Sequence, residues 1–338
     1  MGLAIENVCV SWRSLHGSDL RLHYMRACLL QTRAFPDRMV SQQQFLPYTA
    51  WQKAAQKHRR KAEEWTLPYR SRRTQGQLHP VHDFLFIYYR FAPAQLERWH
   101  PPLGVCLEAN QPIAGYSEKH YSHRENTLFQ DPEKIDNKAL KRLRWSLNIC
   151  RSVEQRFPQY RCFGMHEWAM VYQGGPRGRP RHEGTLALRL PQKQIDALVR
   201  DQLTCCSHFD AFRFFTDTAK PFNRVHPTQD TRLQNEQPGC LHTNMDLYKW
   251  TAKSMPWVGS DLLWDTFEYA VRCREIDMRA SPYDCTPLGL QPIQIETPEG
   301  RAEYEREQRK LADDGRPLRA RLTTSLEAIF FSLKKLFK

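Results

Sequence analysis

Two runs of helical hydrophobic periodicity constrain the fold of this chain more than any other feature. Over residues 138–157, one helical face carries Leu140, Leu143, Leu147, Cys150 and Val153. Over residues 261–280, preceded by Ser260 as a cap, the inward stripe carries Leu263, Phe267, Ala270 and Arg274, and the opposite face is charged. A helix with one apolar stripe must bury it against another element. These runs therefore predict a packed helical core.

Weaker patterns extend this prediction to the rest of the chain. A basic helix is expected over residues 51–73, and a helix beginning at His79-Pro80 is expected to bury Val81, Phe84, Leu85 and Tyr88. On that helix, His82, Asp83, Phe86 and Tyr89 are expected on the flanking faces. Residues 108–137 read as polar and loop-rich, residues 186–190 as a short strand, and residues 191–200 as a helix. We predict a mainly α fold with minor β content, built as a single large helical domain.

Three segments differ in patterning. Residues 1–42 lack clean periodicity and are predicted to be an N-terminal extension, whereas residues 43–322 form the main, catalytic-like domain. A solvated helix is expected to begin near Pro298. Residues 323–338 read as a cationic amphipathic helix. Such a helix either packs against the domain or lies on an anionic membrane, and packing is the expectation.

The composition limits the class of protein. The chain of 338 residues is 41% hydrophobic and 26% charged, and it has no apolar run long enough to span a membrane. Its net charge of +13 predicts attraction to a polyanion such as DNA, with a simple aid to solubility as the alternative. Its ten cysteines are scattered without a C-x-x-C pair, and no secretory segment opens the chain, which favours the cytoplasm.

Residues 205–250 contain the densest group of chemically active side chains. Ser207 precedes His208 and Asp210 in an S-x-x-D pattern that resembles a capping box, which predicts a helix start. Further along, His242, Asp246 and Lys249 fall on one helical face. Other histidines and carboxylates occur as His82-Asp83, as His166-Glu167, and as Asp277, which continues the apolar stripe of residues 261–280. A carboxylate that points inward needs a partner or a task.

Two interpretations of these groups stay open. Histidines and carboxylates that face inward from several helices are typical of helical metal sites, although neither E-x-x-H nor H-E-x-x-H occurs. Alternatively, aromatic residues stack a flipped nucleobase while a carboxylate stabilises the sugar cation or activates water.

Several long motifs resemble a bacterial family that often carries the name 3-methyladenine DNA glycosylase. They are HPVHDFLFIYYRF, CFGMHEWAMVY, CSHFDAFRFFT, EQPGCLHTNMDLYKW, EIDMRASPYD and IETPEGRAEY. The resemblance covers about residues 46–322 and implies hydrolysis of the N-glycosidic bond of alkylated purines in DNA, without a metal cofactor. The helix-hairpin-helix motif is absent, and Gln237-Pro238-Gly239-Cys240 is its nearest counterpart. No catalytic residue can therefore be transferred.

From these observations we expect a DNA glycosylase-like hydrolase, with DNA as its partner. The expected catalytic residues are Asp246, Asp210, His208 and His242. The expected substrate-binding residues are Arg213, Arg279, His166, Glu167, Tyr248, Trp250, Asp277 and His82. The alternatives are a helical metalloenzyme that uses iron or another divalent metal on a small molecule, and a non-catalytic nucleic-acid-binding protein.

Overall fold

The computed structural model describes residues 44–175, 186–202 and 204–336. Within them the α helices are α1 (Tyr48–Thr74), α2 (Phe84–Tyr89), α3 (Pro93–Glu97), α4 (Asn137–Glu154), α5 (Met165–Met170), α6 (Gln192–Asp201), α7 (Phe209–Phe212), α8 (Arg232–Asn235), α9 (Leu241–Lys253), α10 (Ser260–Arg279) and α11 (Pro298–Leu336). The strands are β1 (Gln44–Leu46), β2 (Val105–Glu108), β3 (Tyr121–Arg124) and β4 (Thr127–Gln130). The mainly α fold with minor β content is confirmed. The extension predicted over residues 1–42 lies outside the described residues.

Helix α9 lies at the centre of the helical core. It contacts α4, α10 and α11, and its buried positions surround the helix axis instead of forming one stripe. They include Leu241, Met245, Leu247, Tyr248 and Trp250. A helix that is buried on all sides belongs in the interior. Asp246 and the other buried polar residues of α9 are therefore held away from bulk water.

The C-terminal segment packs onto this core. Helix α11 continues without a break across residue 322, so the residues predicted as a separate tail prolong the helix that begins at Pro298. Its apolar positions Leu322, Leu326, Ile329, Phe330 and Leu333 are all buried, which confirms packing against the domain. The division into segments at residue 322 stays a prediction. Among the described residues, no helix combines the length and apolar character needed to cross a membrane.

Strands β3 and β4 lie within residues 108–137, which were expected to be loop-rich. The sheet has the order β1-β2-β4-β3; β1 pairs with β2 in parallel, and the other pairs are antiparallel. One face covers a second apolar cluster, which contains Trp51, Trp99, Leu107, Tyr121 and Leu128. The strand predicted over residues 186–190 is instead a single bridge between Leu188 and Tyr283.

The segment predicted as a helix from His79 forms a turn first, and α2 begins only at Phe84. The buried carboxylate of Asp83 accepts a hydrogen bond from the backbone N–H of His79 at 2.8 Å and pairs with Arg72. The predicted orientation was therefore wrong for Asp83, and also for Phe86, which is buried. Tyr88 is only half-buried. An ion pair to α1 overrode the local helical pattern.

Candidate functional site

Short and long helices bring ionisable side chains from distant parts of the sequence into the interior. In chain order these residues are His166, Glu167, His208, Asp210, Arg232, Glu236, His242, Asp246, Lys249, Arg274 and Asp277. They fall into two adjoining groups, which we name the Asp277 cluster and the Asp246 cluster after their central carboxylates. The convergence of the predicted acids and imidazoles is therefore present in the structure.

The Asp277 cluster joins α5, α9 and α10. His166 Nε2 lies 2.8 Å from Asp277 Oδ1, and His242 Nε2 lies 4.0 Å from Asp277 Oδ2. Arg274 donates through one guanidinium nitrogen to Asp277 Oδ2 at 2.6 Å and to Glu167 Oε1 at 2.9 Å. All five side chains are buried or nearly so, and the carboxylates are therefore held by explicit partners instead of water.

Charge neighbours and burial act in opposite directions in the Asp277 cluster. Burial opposes the charged imidazole of His166, but the adjacent carboxylate of Asp277 outweighs burial and raises the pKa of His166. For Asp277, burial is likewise outweighed by His166, His242 and Arg274, and its pKa is lowered. Burial and the neighbouring His166 lower the pKa of His242 to about 3. His242 is therefore a neutral imidazole near pH 7.

The Asp246 cluster joins α7, α8 and α9. Asp246 Oδ1 accepts a hydrogen bond from the hydroxyl of Tyr89 at 3.0 Å. Its Oδ2 faces His208 Nε2 at 3.3 Å, Arg232 at 3.1 Å and Lys249 Nζ at 3.0 Å. Both oxygens of this carboxylate are therefore fully occupied.

Two further carboxylates complete the Asp246 cluster. Glu236 pairs with Arg232, and its second oxygen is buried without a partner among the described residues. Asp210 accepts from Lys249 Nζ at 2.7 Å and lies nearer the surface. Burial disfavours the charged form of Asp246, but Lys249, His208 and Arg232 outweigh burial and hold its pKa well below the ordinary value. Asp246 is thus a fixed anion.

The ring of His242 lies between the two clusters. Its centroid is 4.3 Å from that of His166, with the rings edge to face, and 5.5 Å from that of His208. Within the described chain, no hydrogen bond engages the ring nitrogens of His242. His242 is therefore the imidazole of this group that is available to a ligand.

A small cavity of about 10 Å³ borders His166 and His242. The other residues that line it are Cys162, Cys205, Cys206, Ser207, Gln237, Cys240 and Leu241. This volume accommodates about one water-sized molecule. Burial raises the pKa of the Cys206 thiol well above its ordinary value and that of Cys240 to about 12, so both are protonated thiols near pH 7.

Two groups in the described residues offer three potential metal ligands each. They are His166 with His242 and Asp277, and His208 with Glu236 and Asp246. In each group the ligand atoms lie within 4.8 Å of one another. The first group is a two-histidine, one-carboxylate set, a combination that binds non-haem Fe(II) and related divalent ions.

The remaining predicted site residues occupy varied positions. Arg213 lies at the edge of the Asp246 cluster, 3.2 Å from Asp210, and its side chain is 45% exposed. Tyr248 and Trp250 are core residues, buried in α9. His82 faces Glu275 at 3.2 Å. Arg279 donates to the backbone oxygen of Gln291 and to the side-chain carboxylate of Glu303. The structure does not bring His82 or Arg279 into either cluster.

Sequence reasoning missed several members of the site. Arg274 was assigned to an apolar stripe, although its buried guanidinium holds Glu167 and Asp277. Arg232 and Glu236 were not among the expected site residues, and their spacing of four was the available signal. The expected cap at Ser207 is also wrong, because His208 is the residue that precedes α7 and no side chain caps it.

Comparisons with protein-family models, with curated proteins and with solved structures found no match to this chain.

Proposed function

We propose that this protein is a helical metalloenzyme in which His166, His242 and Asp277 hold one divalent metal ion. The observation that carries the proposal is the two-histidine, one-carboxylate set on three separate helices beside a water-sized cavity. This proposal favours the metal-dependent alternative over the glycosylase expected first from the sequence.

The ligand atoms suit such an ion. Metal-to-nitrogen bonds of about 2.0–2.1 Å set adjacent ligands about 3 Å apart. His166 and Asp277 are separated by 2.8 Å, and His242 stands 4.0 Å from the second oxygen of Asp277. Small side-chain adjustments would bring the three together. The ring of His242 breaks no hydrogen bond to a described residue in doing so.

The second triad fits a metal less well. The guanidinium of Arg232 already binds both Glu236 and Asp246, at 2.5 Å and 3.1 Å, and Lys249 binds Asp246 at 3.0 Å. A divalent ion among these carboxylates would meet two cations at close range. We therefore assign the Asp246 cluster a structural and electrostatic role beside the metal.

A bound divalent ion would supply Lewis-acid or redox chemistry to a water-sized molecule in the adjacent cavity. The protein's own residues orient the ligands. Arg274 holds Asp277 through Oδ2, whereas His166 contacts Oδ1, and Glu167 completes the charge balance around Arg274. Such outer hydrogen bonds fix the orientation of ligands and tune the metal.

Metal content is the direct test. Protein purified without chelators is expected to contain about one equivalent of iron, manganese or zinc by elemental analysis, since the Asp277 cluster offers one complete ligand set. His242→Ala is expected to lose most of this metal. His208→Ala, which removes the histidine of the other triad, serves as the matched control and should retain it.

Melting temperatures of both variants check that they are folded. Metal-free wild-type protein that also fails to bind added Fe(II), Mn(II) or Zn(II) would refute the proposal. Metal loss in His208→Ala without loss in His242→Ala would move the site to the Asp246 cluster.

A DNA glycosylase-like activity is our second candidate, and a feature of the Asp246 cluster favours it. Asp210 is a carboxylate near the surface, its side chain 13% exposed, with Arg213 beside it at 3.2 Å. Arg213 also stacks on the ring of Phe214, 4.2 Å from its centroid. A carboxylate, an aromatic face and an arginine are the groups that base excision needs. Asp246 suits this role less, because it is 1% exposed and saturated with partners.

The test of this candidate is release of free purine from alkylated duplex DNA. Asp210→Asn is expected to abolish release, while Asp217→Asn, a change at a fully exposed aspartate, leaves it intact. Absence of base release from the wild-type protein, or release that survives Asp210→Asn, would end this candidate. DNA is its proposed partner, and the net charge of +13 supports that partner.

We also propose that the protein works in the cytoplasm. The cysteines of the described chain are all free thiols, and four of them line the small cavity. Free thiols persist in a reducing compartment.

A further inference from the structure

A second cleft lies at the other end of α9. It has a volume of about 390 Å³, within the range of small-molecule sites. Lys253 lines it and lies eleven residues after His242, which places the cleft about 16 Å along the helix from the metal ligands. The cleft is therefore separate from the site described above.

The charge of this cleft has one sign. Arg98, Arg142 and Lys253 line it, and the described residues that line it include no aspartate or glutamate. All three cations are exposed at its rim, and within the described chain no carboxylate pairs with them. Most arginines near the other clusters are neutralised by carboxylates, as Arg232 and Arg274 are. Unneutralised cations around a concavity attract an anion.

The floor of the cleft offers neutral hydrogen-bonding groups. His100 Nδ1 lies 2.8 Å from the hydroxyl of Tyr121. His120, which also lines the cleft, has a buried Nδ1 without a hydrogen-bond partner among the described residues. Burial and the adjacent Arg98 lower the pKa of His100 to about 3, so this imidazole is neutral near pH 7.

The remaining wall is apolar and includes Phe91, Met255 and Pro256. A bare inorganic ion is bound by polar groups on every side, so an apolar wall would contribute nothing to its binding. An organic molecule with an anionic end fits both parts: the rim cations bind the anion, and the apolar wall covers a ring.

We propose that this cleft binds a phosphate monoester that carries a planar organic group, of the size of a nucleoside monophosphate. Arg98, Arg142 and Lys253 hold the phosphate, and His100, His120 and Tyr121 hold polar atoms of the ring. The proposal is independent of the metal site.

Calorimetric titration of the full chain tests it, with adenosine monophosphate, adenosine and inorganic phosphate as probes. Adenosine monophosphate is expected to bind saturably and more tightly than either fragment. Arg98→Ala and Lys253→Ala should each weaken its binding about tenfold or more, because each removes a charge-assisted contact to the phosphate. Arg60→Ala, at an exposed arginine on α1 outside the cleft, is the matched control and should leave the affinity unchanged.

The three variants change exposed side chains, and melting curves verify that they fold. Three results would each overturn the proposal. The first is no saturable binding of adenosine monophosphate at millimolar concentration. The second is binding that Arg98→Ala and Lys253→Ala leave unchanged. The third is a cleft that binds a single-stranded oligonucleotide but not the mononucleotide, which would make it part of a nucleic-acid surface.

Discussion

Replacing Arg274 by methionine is expected to destabilise the protein strongly. Arg274 is 2% exposed and is the cation that holds two buried carboxylates, Glu167 and Asp277. Asp277 keeps His166 as a partner in the variant, but Glu167 loses its ion pair. Removing one partner of a buried ion pair costs about 3–5 kcal/mol, because a charge is left without compensation.

The matched control is Arg272→Met, two residues earlier on the same helix. Arg272 is 51% exposed and pairs with Asp314 on the surface, where an ion pair contributes about 0–1 kcal/mol. Both changes exchange arginine for a flexible apolar side chain of similar length. The difference between the two variants therefore isolates burial of the charge.

Urea unfolding followed by circular dichroism measures this difference. With a slope of about 3 kcal/mol per molar urea, the expected loss lowers the midpoint by about 1–1.7 M for Arg274→Met. Adding Glu167→Gln should recover part of the loss, since the uncompensated charge disappears. If Arg274→Met falls within about 1 kcal/mol of Arg272→Met, the buried ion pair does not have the importance that we assign to it.

Three further predictions concern the stability of the protein outside the two sites. Phe330→Ala, in the buried face of α11, should lower the free energy of unfolding in urea by about 3–5 kcal/mol. Phe157→Ala, at a residue that is 91% exposed, should change it by no more than about 0.5 kcal/mol. Equal losses in the two variants would contradict the packing of α11. Gly239→Ala should cost about 1–3 kcal/mol, because the added Cβ would stand 2.6 Å from a facing backbone oxygen, and an unchanged melting temperature would show that this backbone yields freely. Burial lowers the pKa of His58 from 6.5, so the unfolded chain takes up the proton first and stability falls as the pH drops below about 6.5. His58→Gln should therefore reduce the change in urea midpoint between pH 7.5 and 5.5 (roughly one unit either side of the ordinary histidine pKa), and an unaltered pH profile would exclude His58 as its source.

Local patterning predicted much of the helical structure. The runs predicted over residues 138–157 and 261–280 correspond to α4 and α10, nearly residue for residue. This is because the helical period of 3.6 residues is visible in the order of neighbouring apolar and polar side chains. The same reasoning failed at His79, where an ion pair between Asp83 and α1 stabilises a turn instead of a helix. It also missed the sheet, since strands of three or four residues are too short to display a period.

The candidate site was likewise predicted only in part from the sequence. The sequence identified His166, His208, His242, Asp246 and Asp277 by their types and by their inward positions. It did not reveal which of them share a cluster. His166 meets Asp277 across 111 positions, and Tyr89 meets Asp246 across 157. Contacts at such separation depend on how helices pack, which no local period encodes.

The sequence by itself determined the mainly α class, the helix spans with clear stripes and the stock of imidazoles and carboxylates, because those properties follow from residues near each other along the chain. Only the tertiary structure decided that Arg232 neutralises the Asp246 cluster, that the ring of His242 has no hydrogen bond to another described residue, and that Arg98 and Lys253 face one cleft. These outcomes depend on distances between helices, because the interaction energy of two charges depends on their separation and on the surroundings that the packed core provides.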